Sequence, residues 1–183
     1  MKPFKTPASW LLMLMLFGSL LSCSPENETV YPAFHVDGWE TLDRPGYSIQ
    51  YPPDWGLNQD GVMGTEFVMF APEDSSNAFR ENVNLITQPV TMNLEEYIEA
   101  MNAMSPQTFP NYARVSLEKA RDASGERYEM VSTFDTDTGH IKNRQYFWVA
   151  NGKAYTLTWT STAERFDDTK ETGEKILKSF RIK

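Results

Sequence analysis

The sequence predicts an α+β domain, an antiparallel β-sheet flanked by helices, and three observations carry that reading. Short alternating apolar and polar segments, separated by Pro, Gly, Asp and Asn clusters, fill most of the chain from Trp39 onward. Two stretches, 93–104 and 163–180, break that rhythm with apolar residues spaced three and four apart. Short polar turns join the last four alternating segments, as consecutive antiparallel strands require.

The first element, residues 1–22, has the layout of a secretory signal: Lys2 and Lys5 form a positive head, and Trp10 to Leu21 an apolar run. That run is shorter than the ~20 residues a helix needs to cross a bilayer core. Leu20-Leu21-Ser22-Cys23 resembles the bacterial lipobox. The resemblance implies cleavage after Ser22 and a lipid-modified Cys23 as the first residue of the mature chain. Two or more acyl chains give a durable anchor where one holds only marginally. Serine rather than aspartate at position 24 implies export to the outer membrane, with the domain on its periplasmic face.

Residues 23–37 are polar, contain proline and show no period, so they read as the lipidated N-terminus and a flexible tether. The sequon Asn27-Glu28-Thr29 falls in this stretch and reads as a coincidence in a bacterial lipoprotein. The domain proper spans 38–183. WETLD, YSIQY, TEFVMFA and NVNLITQPV are its first strands. In 93–104, Leu94, Tyr97, Ile98, Met101 and Met104 form one stripe; Asn93 and Glu96 make a capping box, and Pro106 marks the end. RVSLEKARD, ERYEMVSTFD, HIKNRQYFWVA and KAYTLTWTST follow as a four-stranded meander, with Asn151-Gly152 suited to the positive φ of a type I′ turn. A closing helix carries Phe166, Ile176, Leu177 and Phe180 on one face, weakened by about 1 kcal/mol at Gly173. Tyr155, Leu157 and Trp159 alternate with Thr156, Thr158 and Thr160, which predicts a sheet covered on its aromatic face alone, by both helices.

Composition narrows the partners. The formal charge of −8 becomes more negative once Lys2 and Lys5 are removed, and a chain so acidic lacks the basic surface that nucleic acid requires. Cys23 is the sole cysteine, so no internal disulfide forms and packing alone holds the fold.

GYSIQYPPDW at 46–55 and VANGKAYTLTWTSTAERFDDTKETGEKILKSFRI at 149–182 resemble PsbP-type domains. The resemblance implies an α/β/α sandwich over 38–183 without a cofactor. It also implies a non-catalytic scaffold that docks on larger envelope complexes or helps assemble them. The histidines that bind metal in some members are not carried over, since only His35 and His140 are present and neither lies in a matching block.

Catalytic chemistry finds little footing. Asp137-Thr138-Gly139 repeats the aspartic protease triplet but sits in a polar stretch between two strands, where a hairpin turn explains it. Asp135 and Asp137 begin like a calcium loop whose later ligands are missing. GxSxG, HExxH, CxxC, Walker and dinucleotide motifs do not occur in the domain. His140, without a carboxylate to orient it, reads as an exposed turn residue. The aromatic run Tyr146-Phe147-Trp148 belongs to the core, yet alternation leaves Tyr146 and Trp148 together on one face as a candidate docking surface. The expectation is a membrane-tethered protein, attached through lipid on Cys23, that docks on an envelope protein. The alternative is a carrier for a small molecule or lipid in a cavity between sheet and helix.

Overall fold

The computed structural model describes residues 29–30, 34–75 and 79–183; residues 1–22 and Cys23 lie outside them. In chain order the strands are β1 (Thr29–Val30), β2 (Glu40–Arg44), β3 (Tyr47–Tyr51), β4 (Gly56–Asn58), β5 (Phe67–Phe70) and β6 (Asn82–Pro89). Helix α1 (Leu94–Thr108) follows, then β7 (Ala113–Asp122), β8 (Gly125–Thr136), β9 (Gly139–Ala150), β10 (Lys153–Thr162), α2 (Phe166–Ser179) and β11 (Arg181–Ile182).

β7 to β10 pair in succession as the predicted antiparallel meander. Asn151 and Gly152 close its last hairpin with φ of 52° and 70°, the left-handed pair that a type I′ turn demands. β6, β5 and β4 extend the sheet beyond β10, and β1 adds to β7 in parallel, giving eight strands in the order β1-β7-β8-β9-β10-β6-β5-β4. β2 and β3, which the sequence places in the same series of strands, instead form a separate three-stranded sheet with β11.

Within the stretch 23–37, four of the described residues, Thr29, Val30, Phe34 and Val36, are bonded to the domain. Thr29 and Val30 align with Ala120 and Arg121 of β7. The Gln50 side chain bonds both the N–H and the carbonyl of Val36, at 3.0 and 3.3 Å, and Arg181 donates to the Phe34 carbonyl at 3.2 Å.

Helix α1 starts where its capping box predicts. Asn93 Oδ1 accepts from the Glu96 N–H, and Glu96 Oε2 accepts from the Asn93 N–H, both at 2.9 Å. The helix passes the predicted stop at Pro106 and runs to Thr108. Proline offers no N–H to the preceding turn, and neighbouring side chains cover carbonyls around the gap. Ser105 Oγ donates to Met101 O, Gln107 Nε2 to Ala103 O and Thr108 Oγ1 to Met104 O, at 2.8, 2.9 and 3.1 Å. Replacing Asn93 with alanine removes one half of the box and should cost about 1 kcal/mol in urea unfolding.

Both faces of the large sheet are covered, which corrects the one-sided expectation. Between the two sheets and α2 lies the main core, including Ile49, Phe67, Leu85, Trp148, Leu157, Trp159 and Phe180. A second core sits on the opposite face, where Leu94, Tyr97 and Ile98 of α1 meet Met130, Phe147 and Ala154. Helix α1 therefore rests on the threonine face: Tyr97 OH lies 3.0 Å from Thr156 Oγ1. Strand β9 is apolar on both sides because both sides are buried, Phe147 under α1 and Tyr146 and Trp148 within the main core.

On the other face α2 lies unusually close to the sheet. A Cβ built on Gly173 would stand 2.3 Å from Cδ2 of Trp159, so the glycine is the contact that seats the helix. Trp159 is fully buried and stacks on Phe166 with ring centroids 4.2 Å apart.

Candidate functional site

The half of α1 beyond Ile98 leaves the sheet partly uncovered. Leu94, Tyr97 and Ile98 are buried, Met101 is half-buried, and Met104 is 52% exposed. Beneath that half lies an open groove of about 270 Å3. Strand pleating builds its floor, since every second residue of β8, β9 and β10 points toward it. Ser132, Asn143, Gln145, Thr156 and Thr158 come from these strands, and Gln88 from β6. Apolar side chains form the rim: Ile86, Met101, Met104, Phe109 and Phe134. Phe109 and Phe134 lie with ring centroids 4.5 Å apart. None of the residues lining the groove carries a charge.

The floor is largely bonded to itself. Ser132 Oγ donates to Asn143 Oδ1 at 2.6 Å, and Gln145 Nε2 to Thr158 Oγ1 at 3.2 Å. Gln88 Nε2 donates to Tyr97 OH at 3.0 Å, which continues the chain to Thr156. Such a network fixes side-chain orientation and leaves the remaining donors and acceptors pointing in defined directions.

Two surface clips hold α1 and the loop after it. Lys119 Nζ donates to Glu95 at 2.9 Å, which holds the Glu95 carboxyl below its usual range and raises the Lys119 ammonium. Asn111 Nδ2 donates to Asp135 Oδ2 at 2.6 Å, and His140 Nδ1 lies 2.6 Å from Asp135 Oδ1. These bonds, Asn111 first, hold the Asp135 carboxyl below its ordinary value. The structure thus supplies His140 with the orienting carboxylate that the sequence does not reveal. Among the described residues, however, Asp135 is the only side chain hydrogen-bonded to the imidazole, so no hydroxyl is poised as a nucleophile. Asp137-Thr138-Gly139 is a hairpin turn, with Thr138 N bonded to Thr136 Oγ1 at 3.3 Å and Gly139 at φ 127°.

Tyr146 and Trp148 are corrected as a docking surface. They are 0% and 1% exposed, because strand, helix α2 and the small sheet enclose that face. Burial pushes the Tyr146 phenol well above its usual value. Arg127, 1% exposed, lies 4.5 Å above the Tyr146 ring and pairs with Asp122 and, at 2.5 Å, with Glu129. Arg144 extends this group to Glu174 of α2 at 3.0 Å. These ions join β8, β9 and α2 from within.

Among the described residues no group of three or more His, Cys, Asp or Glu could hold a metal ion, and no helix is long and apolar enough to cross a membrane. His35 is exposed, 3.5 Å from Asp37. Sequence reading missed the groove floor, although its signal is present: Ser132, Asn143, Gln145, Thr156 and Thr158 recur at every second position of three successive strands. Such a polar face ordinarily meets water; here α1 partly roofs it.

No protein-family profile matches the sequence, and no curated protein matches it. Solved structures do. The chain is similar to cyanobacterial PsbP (CyanoP) from Synechocystis, with a TM-score of 0.59 at 14% identity over 81% of this chain and 95% of that one. It is similar to LpqN, a protein involved in cell envelope biogenesis of Mycobacterium tuberculosis, with a TM-score of 0.58 at 9% identity over 79% and 90% of the two chains. PA94 from Pseudomonas aeruginosa, a protein of unknown function, matches with a TM-score of 0.57 at 8% identity over 77% and 94%. With its antiparallel sheets, its two helices and these likenesses, the chain has the PsbP-like α+β fold.

Proposed function

We propose that this protein is a lipid-anchored component of a bacterial cell envelope, held through Cys23 at the periplasmic face of the outer membrane. Its PsbP-like domain catalyses nothing and docks on an envelope partner through the groove beneath α1. The observation that carries the docking role is the groove itself, uncharged along its whole lining and rimmed by the exposed apolar side chains Ile86, Met104 and Phe109. The absence of a convergent acid, base and nucleophile among its lining residues supports binding without chemistry. The leader and the lipobox resemblance support the location, and LpqN, of similar fold, is named for envelope biogenesis. A carrier role for a lipid tail is the weaker reading, since six polar side chains on the floor would lose water to hydrocarbon.

Crosslinking in the native envelope, read by mass spectrometry, tests both halves. Cys23→Ala is expected to move the protein from the membrane to the soluble fraction, and intact-mass analysis of the wild type to show acyl chains on Cys23. Met104→Lys, which sets a charge on an exposed rim position, is expected to stay in the membrane and lose the crosslinked partner. An unmodified Cys23 in membrane-bound protein would refute the anchor. Undiminished crosslinking by Met104→Lys would refute the groove.

A further inference from the structure

We infer that the groove accepts a short, uncharged peptide segment, with one apolar side chain on the rim and the same residue's backbone N–H and carbonyl on the floor. This deepens the docking reading and rests on the groove being the binding face. The first support is electrostatic. In a chain where 23% of residues are charged, none of those lining the groove is. A charged group entering it would lose hydration and meet no counter-charge, which disfavours phosphate, carboxylate and ammonium ligands.

The second support is the polarity of the floor. Ser132, Asn143, Thr156 and Thr158 are each less than a tenth exposed. A bare acyl chain laid over them would leave their open valences without water or partner, so the occupant must itself carry hydrogen-bonding groups.

The third support is the pattern of those valences. Asn143 spends Oδ1 on Ser132, and Gln145 spends Nε2 on Thr158. Among the described residues, Asn143 Nδ2 and Gln145 Oε1 have no hydrogen-bond partner, and neither belongs to the atoms sealed from solvent. One donor and one acceptor therefore face the groove from positions i and i+2 of β9, about 7 Å apart at Cα for a strand rise of ~3.4 Å. An extended peptide residue sends its carbonyl and its N–H to the same side, one acceptor and one donor. Asn143 donates to that carbonyl while Gln145 accepts from that N–H. The side chain, roughly perpendicular to both, then meets Met101, Met104 and Phe109, where flexible thioethers adapt to its shape. About 270 Å3 falls just below the ~300–1,000 Å3 of pockets that enclose drug-sized ligands, which suits one anchored residue.

The test titrates the full-length protein, in detergent micelles, with acetyl-Gly-Leu-Gly-amide. NMR follows the side-chain amides of Asn143 and Gln145 and the methyls of Met101 and Met104. Saturable shifts at all four are expected, with none from acetyl-Gly-Glu-Gly-amide. Gln145→Leu and Asn143→Leu should each weaken binding about tenfold. Should Asn143→Leu fail to fold, the half-buried Gln145 carries the comparison, with tryptophan fluorescence confirming the core. N-acetylglucosamine or decanoate moving these resonances while the leucine peptide leaves them unchanged would overturn the peptide assignment and keep the groove as a binding face. If no probe moves them, the inference and the groove reading fall together.

Discussion

Arg127→Ala is expected to destabilise the domain by roughly 3–5 kcal/mol, the cost of leaving partners of a buried ion pair uncompensated. The Arg127 side chain is 1% exposed, and those of Asp122 and Glu129 are 5% and 13% exposed. Water therefore cannot replace the guanidinium. Removal also empties the space above the Tyr146 ring, where the cation sits 4.5 Å from the centroid. For a domain of this size each kcal/mol lowers the melting temperature by about 2–4 °C, so the loss is easily read by calorimetry. Because buried pairs are little screened, 1 M NaCl should leave the difference between wild type and variant nearly unchanged. Arg127→Met combined with Asp122→Leu and Glu129→Leu, which removes both of the carboxylates named here with the cation, should recover much of the loss, as apolar replacement of buried ions commonly does. A deficit under 1 kcal/mol for Arg127→Ala would mean that the group adds nothing.

Gly173→Ala is expected to lower stability by about 1 kcal/mol, and its sign is the informative quantity. Helix propensity alone predicts the opposite, a gain of about 1 kcal/mol. The new methyl would lie 2.3 Å from Trp159 Cδ2 and 2.4 Å from Cε2. Trp159 cannot yield, being fully buried and stacked on Phe166. Overpacking of this kind typically costs 1–3 kcal/mol, enough to outweigh the propensity term. Urea unfolding decides it: a stabilised variant would show that α2 can lift from the sheet at no cost.

These two residues show how far sequence reading reaches. Local grammar is plainly written: the Asn93 and Glu96 capping box, the Asn151-Gly152 turn, and the boundaries of β7 to β10 all follow from short-range chemistry. What depends on contacts between distant segments is not. Gly173 looks like a weak point in a helix until Trp159 is set against it. Arg127 looks like a solvated strand residue, since its burial depends on Asp122 across the hairpin and on the rings of β9. Tyr146 and Trp148 show the same limit: alternation separates them from Phe147, yet only the tertiary fold covers both faces. Two-residue strands such as β11 lie below any periodic signal. The groove falls between these cases, with its floor visible as a polar alternation and its roof set by where α1 docks.

A sheet carrying two separate cores should answer substitution as two separate systems. Substitutions on its opposite sides touch different neighbours, so their energetic effects should sum independently. A change beneath α1 combined with one in the aromatic stack against α2 should therefore cost the sum of the two single losses, to within about 0.5 kcal/mol.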